Sequence, residues 1–233
     1  MSDGLRKWGR VAVWAIAVYG ALLAVGTVTH QPDYQTDFPA YARYVTTSQF
    51  LLSHLVASIA GAGLGVVGAA GLFILADPVA PRLARWGFVL WAFAQVGLAS
   101  VFGVAAFFQP AIGRAFLDGG GEIAVGINED VYGGPLFLTV GLSLLLFIVG
   151  GILLGMAASR TGPRWAGVTF AASITVFAIS GFLFNVIQPV AALGIALAGA
   201  GFAVSVRRSS PAGRGSAVSS EGVLTREGTS RGD

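Results

Sequence analysis

Six long apolar runs, separated by short polar segments, dominate the pattern along the 233-residue chain. An α-helix rises ~1.5 Å per residue, so about 20 apolar residues cross the ~30 Å hydrocarbon layer of a membrane. The runs have about this length, which predicts an all-α bundle of six transmembrane helices. The predicted spans are residues 9–28, 49–76, 86–108, 135–158, 165–184 and 189–206.

An internal repeat groups the six runs into pairs. A tryptophan that follows a basic residue stands at the start of the first, third and fifth runs, at Trp8, Trp86 and Trp165. A Gln-Pro pair comes 23 residues after each tryptophan, a distance of about 35 Å along a helix. The repeat predicts three helix hairpins, with tryptophan at one membrane face and Gln-Pro at the other. The glutamines of the three pairs are Gln31, Gln109 and Gln188.

The polar segments differ in character. Segments 29–48 and 109–134 hold the short motifs PAYAR and PAIGR. Because proline is favoured at the first position of a helix, we expect Pro39 and Pro110 each to open a short interfacial helix. After residue 208 the chain is rich in Ser, Gly, Arg and Glu. This composition buries too little apolar surface to fold, so we predict a transmembrane domain at 1–208 and a disordered tail at 209–233.

Charge is sparse and lies mostly on one side of the predicted membrane. The chain is 55% hydrophobic and 11% charged, with a formal charge of +3. If the helices alternate in direction, Arg43 and Arg114 lie on one side and the other twelve of the 14 basic residues on the opposite side. The positive-inside bias then predicts a multi-pass protein of the cytoplasmic membrane with both termini in the cytoplasm. We attribute the basic balance to this topology and expect no nucleic-acid partner.

The second helix carries one face of small residues that includes a histidine. Thr46 and Gln49 have the spacing of a capping box at its start. Steps of four and three residues from His54 reach Ser58, Gly61, Gly65 and Gly68. Small residues let helices approach closely, so His54 should point into the bundle near its outer mouth. It can contact a ligand or bond a neighbouring amide or carbonyl; a haem shared with His30 is a further alternative.

Side-chain amides are the other candidates for a ligand site. Gln31, Gln109, Gln188 and Asn185 should lie near the outer membrane boundary, where three symmetry-related glutamines would form a ring able to hold a headgroup or solute. Alternatively, these amides satisfy helix-end carbonyls beside the prolines. Gln95 is the one strongly polar side chain near the middle of a span, and an interhelical hydrogen bond is its expected role.

Catalytic and metal-binding patterns are weak. Apart from Arg10 at the very start of the first span, the spans contain no Asp, Glu, Lys or Arg, which disfavours a proton-coupled transporter or ion pump. The absence of cysteine excludes thiol catalysis and cysteine-ligated metals. Asp33 and Asp37, near His30, are weak candidates for a divalent-cation site, and a solvated acidic segment is the alternative. We predict no cofactor.

The polar hairpin ASRTGPRWAG at residues 158–167 resembles a hairpin in a broad group of six-helix bacterial membrane proteins of unknown function. These proteins are similar in layout over residues 8–206, with an outer segment before the second helix and a proline near the outer end of the fifth. The Ala-, Gly-, Val- and Arg-rich composition suggests a high-GC bacterial, actinobacterial origin. The resemblance implies a fold and no activity.

These observations favour a non-enzymatic membrane component that binds a partner protein, a lipid or a small apolar ligand at its outer face. A facilitative transporter of small solutes is the first alternative, and a membrane enzyme or haem protein that uses His54 is the second. The lipid bilayer is the certain partner of such a chain, and glycine-rich faces on the second and sixth helices fit either bundle packing or a homo-oligomer.

Overall fold

The computed structural model describes residues 2–29, 31–183 and 185–208, and this part of the chain is all-α. His30 and the tail at 209–233 lie outside the described residues. The helices are α1 Asp3–Ala12, α2 Trp14–Thr27, α3 Phe38–Val45, α4 Ser48–Leu52, α5 Gly61–Ala76, α6 Pro81–Ala115, α7 Gly121–Tyr132, α8 Gly134–Ala158, α9 Arg164–Leu183 and α10 Gln188–Arg208. A π-helix, Ser53–Ala60, joins α4 to α5, and a π-helical turn, Phe116–Gly120, follows α6.

Five helical stretches in the described residues are long and apolar enough to cross a membrane. They are Asp3–Thr27, Ser48–Ala76, Pro81–Tyr132, Gly134–Ala158 and Gln188–Arg208. The predicted span at 165–184 falls on α9, but its last residue lies outside the described part, so the sixth span stays a prediction. The outer surface of the bundle exposes large apolar side chains such as Val25, Phe93 and Leu138, as a lipid-facing surface would.

The helices pack in chain order. Helix α5 packs on α2 and on α6, α6 on α8, α8 on α9, and α9 on α10. Helix α10 returns to pack against α2, which closes the ring. One end of this ring holds the start of α1, the turns before α6 and α9, and the end of α10; we call it the basic end. The opposite end, which holds the three Gln-Pro pairs, is the Gln-Pro end.

Glycines allow the closest helix contacts. A Cβ atom on Gly150 of α8 would lie 2.6 Å from the backbone nitrogen of Trp91 in α6, and one on Gly68 of α5 would lie 2.6 Å from the Ile16 side chain in α2. Real side chains do not tolerate such distances. The predicted glycine face of the second helix, with Gly61, Gly65 and Gly68 buried, therefore packs inside the bundle.

The Gln-Pro end differs from the sequence prediction in one important respect. We expected the third helix to end at residue 108 and Pro110 to open a separate helix, but α6 continues to Ala115 with Pro110 inside it. The chain then reverses near Gly119 and Gly121, whose φ angles of 100° and 43° favour glycine, before α7 begins. Helix continuation wins because proline removes only one backbone donor, and a long apolar helix retains its other hydrogen bonds.

The segment between the first two spans agrees better with its prediction. Helix α3 has its proline in the first turn, and the Asp37 carboxylate caps it by accepting a hydrogen bond from the Ala40 amide at 2.9 Å. The cap of the following helix is Thr47, which accepts from the Phe50 amide, and not Thr46 as the capping-box spacing suggested. The Thr46 hydroxyl instead donates to a carbonyl at the end of α3.

Candidate functional site

A cavity of about 410 Å³ lies at the centre of the ring, in the half nearer the Gln-Pro end. Helices α2, α6, α8, α9 and the π-helix Ser53–Ala60 supply its wall, and the first residue of α10 contributes to its rim. Its wall is mostly apolar, with Leu23, Leu98, Leu144 and Phe177 among the lining side chains. None of the described residues that line it is Asp, Glu, Lys or Arg. The cavity is therefore an uncharged compartment among the predicted spans.

A polar pair forms the floor of the cavity. The Gln95 side-chain amide donates to the Tyr19 hydroxyl at 3.1 Å, and both side chains are almost fully buried. The amide packs against Gly65, where a Cβ atom would lie 3.1 Å from Gln95 Nε2. The predicted interhelical hydrogen bond of Gln95 is thus present, and the glycine face makes room for it.

A tightly packed aromatic layer closes the floor toward the basic end. Trp91 is fully buried, and its ring stacks on Phe147 at a centroid distance of 4.7 Å. Its indole nitrogen donates to the Gly65 carbonyl at 3.1 Å. The same glycine therefore supports both the floor amide and the indole beneath it, so the cavity ends at about the middle of α6.

His54 lies in the wall of the cavity, on the π-helix. Its Nδ1 atom is 2.9 Å from the Phe50 carbonyl oxygen, which can only accept, so we assign the proton to Nδ1. Its ring lies near Phe50 and Phe102, with centroid distances of 4.1 and 6.1 Å. The hydrogen bond to a local carbonyl is thus present, and the ring lines the cavity, while a ligand contact of this histidine stays a prediction. A π-helix at this point is notable because such segments occur often at functional sites.

Two of the predicted glutamines lie at the rim. Gln31 lines the cavity from the segment after α2, and Gln188 from the start of α10. Gln188 Nε2 lies 3.4 Å from the Phe177 carbonyl oxygen of α9. Tyr44 of α3 also reaches the rim, where its hydroxyl donates to Thr29 Oγ1 at 3.2 Å. Asn185 belongs to the 3-10 turn Asn185–Ile187 before α10, and its side chain lies outside the described part of the structure.

Gln109 does not join this rim, so the expected ring of three glutamines does not form. Because α6 continues past this residue, the Gln109 side chain points to α7 and hydrogen-bonds the Tyr132 hydroxyl. Beside this contact, the Tyr41 hydroxyl donates to Asn128 Oδ1 at 2.9 Å, and Tyr41 and Asn128 are fully buried. Gln109 therefore belongs to a second polar cluster that ties α3 and α7 to α6, which we call the cap cluster.

The cap cluster is almost sealed from solvent. Burial raises the pKa of the Tyr41 hydroxyl well above its usual range, with the neighbouring tyrosines adding to the effect. Gln109 Oε1 and Asn128 Nδ2 are buried without a hydrogen-bond partner among the described residues. The cluster is thus sensitive to any change in its tyrosines.

The predicted acidic candidates have local structural roles. Asp33 Oδ1 accepts from the Gln35 amide at 2.9 Å within a turn, and Asp37 caps α3. His30, their proposed companion, lies outside the described residues. Within the residues that the structure describes, no group of three or more His, Cys, Asp or Glu side chains could hold a metal ion.

Sequence reasoning missed the tyrosines that organise both polar sites. Tyr19 is the one tyrosine inside a predicted span, and a buried hydroxyl in lipid needs a partner, so this signal was present in the sequence. Tyr41 and Tyr132 lie in segments that looked solvated, and nothing in their spacing pairs them with Asn128 or Gln109.

No protein-family model, curated protein or solved structure matches the chain. The resemblance of the 158–167 hairpin to six-helix bacterial membrane proteins therefore stays a prediction.

Proposed function

We propose that this chain is a multi-pass protein of the cytoplasmic membrane, with six spans in three hairpins and both termini in the cytoplasm. The clustering of Arg and Lys at one end of the ring supports this orientation. The cavity then lies in the outer half of the membrane, and α3 reaches its rim through Tyr44 on the outer side.

We further propose that the protein is a non-enzymatic binding component whose ligand is a small, neutral and mostly apolar molecule. The observation that carries this proposal is the uncharged cavity itself. Its volume of about 410 Å³ falls within the ~300–1,000 Å³ typical of small-molecule sites. Apolar walls with a few fixed polar groups are also the usual composition of such sites.

The polarity of the lining decides against charged ligands. An ion would have to give up its hydration in a cavity whose described lining residues include no Asp, Glu, Lys or Arg. A neutral molecule loses much less hydration, and its apolar part gains from contact with leucine and phenylalanine side chains. A lipid fragment or an apolar metabolite fits these requirements.

The test measures binding of octan-1-ol to the purified protein in lipid nanodiscs by isothermal titration calorimetry, with protein-free nanodiscs as the blank. Ser58 lines the cavity and Ser100 is exposed on the outer surface of α6, so Ser58→Leu and Ser100→Leu form a matched pair. We expect Ser58→Leu to weaken binding by tenfold or more because it fills the cavity, and Ser100→Leu to leave binding unchanged. Equal binding by the two variants would contradict a ligand site in the cavity.

Facilitated transport of small solutes is a second candidate. It is favoured by the depth of the cavity, which reaches Gln95 near the middle of α6. Passage would require the layer of Trp91 and Phe147 to separate. Glycerol influx into proteoliposomes that is lost in Gln95→Leu would support transport, whereas influx equal to that of empty liposomes would oppose it.

The remaining alternatives have less support. A haem would need a second axial ligand for His54, and His30 lies outside the described residues. A homo-oligomer through the glycine face of the second helix is disfavoured, because Gly65 and Gly68 contact neighbours inside the bundle.

A further inference from the structure

The floor of the cavity has hydrogen-bonding capacity that the protein leaves unused. Gln95 donates one N–H to the Tyr19 hydroxyl, which keeps its own proton, and the amide keeps its carbonyl oxygen. Among the residues that the structure describes, neither that proton nor Gln95 Oε1 has another partner. Counting the second N–H of the amide, the floor can therefore donate two hydrogen bonds and accept at Gln95 Oε1. If the amide is turned by 180°, its two N–H groups and the Tyr19 oxygen, as an acceptor, are left over.

A second unused position lies on the wall. With the proton of His54 on Nδ1, its Nε2 atom is an acceptor. No described residue donates a hydrogen bond to it, and His54 lines the cavity. A ligand at this level satisfies the histidine by donating a hydrogen bond from a hydroxyl or N–H group.

The spacing of the two positions can be read from α6. The His54 ring lies beside Phe102, and Gln95 precedes Phe102 by seven residues on the same helix. At ~1.5 Å per residue, the two polar positions are about 10 Å apart along the bundle. The wall between them includes the apolar side chains of Leu98, Val101 and Leu144.

We infer that the cavity selects an elongated neutral molecule with a hydroxyl-like group at its inner end and a second hydrogen-bond donor about 10 Å away, separated by an apolar body. This inference rests on the proposed binding function and specifies the class of ligand. A long-chain diol has this pattern in its simplest form. Each added hydrogen bond strengthens binding by about three- to tenfold.

The test compares straight-chain α,ω-diols of six, eight and ten carbons with primary alcohols of the same lengths, in nanodiscs by calorimetry. The measured quantity is the ratio of diol affinity to alcohol affinity at each length. A diol and an alcohol partition differently into the membrane. This difference is the same for every protein variant, so it cancels when the ratio is compared between variants. The variants are His54→Phe, which keeps a ring but removes the acceptor, and the double change Tyr19→Phe with Gln95→Leu, which removes every hydrogen-bonding group of the floor pair.

We expect the ratio to be largest for the eight-carbon pair, whose length matches the spacing, and to fall by about three- to tenfold in His54→Phe. The double change at Tyr19 and Gln95 should lower it similarly, which keeps the test informative if one variant fails to fold. A ratio that is independent of length and unchanged in both variants, with octanol still bound, would overturn this inference and leave the binding function standing. Absence of octanol binding to the unmodified protein would instead remove the proposed function.

Discussion

The two halves of the helix ring are packed differently, although the same helices run through both. In the basic half, glycines such as Gly68 and Gly150 bring backbones into contact, and Trp91, Phe147 and Phe170 fill the centre. In the Gln-Pro half, a π-helix, the Tyr19–Gln95 pair and short outer helices surround a cavity of about 410 Å³. The tight packing of the basic half stabilises the bundle, and the space left in the Gln-Pro half is the binding site that we propose.

The largest expected effect concerns which half faces the outside. Because the chain has no cysteine, single cysteines can be labelled without background. We expect a membrane-impermeant maleimide added to intact cells to label Asp118→Cys, in the turn at the Gln-Pro end, and to label Gly4→Cys, at the basic end, only after permeabilisation. The reverse pattern would place the cavity on the cytoplasmic side.

The next prediction tests the stability of the basic half. Gly150→Ala places a methyl group 2.6 Å from the Trp91 backbone nitrogen, and we expect a loss of about 1–3 kcal/mol in the free energy of unfolding. Gly141→Ala in the same helix has no atom within 4 Å of the new methyl group and serves as the control. Thermal unfolding in detergent compares the two variants. A melting temperature for Gly150→Ala equal to that of the control would argue against tight packing here.

A third prediction tests the cap cluster of the Gln-Pro half. Tyr41→Phe removes the hydrogen bond to the fully buried Asn128, whose amide is then left without this partner, so we expect a loss of about 1–2 kcal/mol in unfolding free energy. Tyr34→Phe is the control, because the hydroxyl of Tyr34 makes only an exposed contact with Gln35. If both changes lowered the melting temperature equally, the buried Tyr41–Asn128 hydrogen bond would stabilise the fold no more than the exposed contact of Tyr34.

The raised pKa of Tyr41 gives this cluster a pH dependence. The hydroxyl ionises more readily in the unfolded chain, near its usual pKa of about 10, than in the folded protein. Its contribution to stability is therefore complete below pH ~10 and is lost as the pH rises above that value. Melting temperatures measured through the alkaline range should decline less steeply for Tyr41→Phe than for the unmodified protein. Parallel declines would mean that Tyr41 is not protected from ionisation.

The smallest expected effect lies at the surface of the basic half. Arg85 forms an ion pair with Asp77 at 2.7 Å, but its side chain is 65% exposed. Exposed pairs contribute little because water screens them, so Arg85→Gln should leave the melting temperature unchanged within error. A clear drop in melting temperature would show that the turn between α5 and α6 depends on this ion pair. Charge as well as packing would then stabilise the basic half.

The elements that were predicted correctly from the sequence are those that depend on a local pattern of residues. The apolar runs predicted five long helices that the structure contains, and the stripe from His54 to Gly68 correctly predicted the buried face of the second helix. The end of α6 was predicted wrongly, because Pro110 was read as a helix start. Helix α6 continues through this proline because only one backbone donor is lost and the long apolar helix keeps its other hydrogen bonds, and α3 and α7 pack against α6.

The composition of the two polar sites required the tertiary structure. Tyr19 and Gln95 are 76 residues apart, and Tyr41 and Asn128 are 87 apart, so no local spacing relates them. The repeat suggested that Gln31, Gln109 and Gln188 are equivalent, yet Gln109 joins the cap cluster while the other two line the cavity. The three Gln-Pro pairs differ in role because α6 continues through the second pair, whereas α2 and α9 end before the first and the third.

The sequence by itself determined the length, apolar character and glycine faces of the helices, since hydrophobic partition and close helix approach depend on residues near each other in the chain. Only the tertiary structure decided where space remains between the helices and which uncharged polar groups meet in it. Packing is a property of side chains from all the helices at once, and the cavity with Tyr19, His54 and Gln95 exists only where their volumes fail to fill the ring.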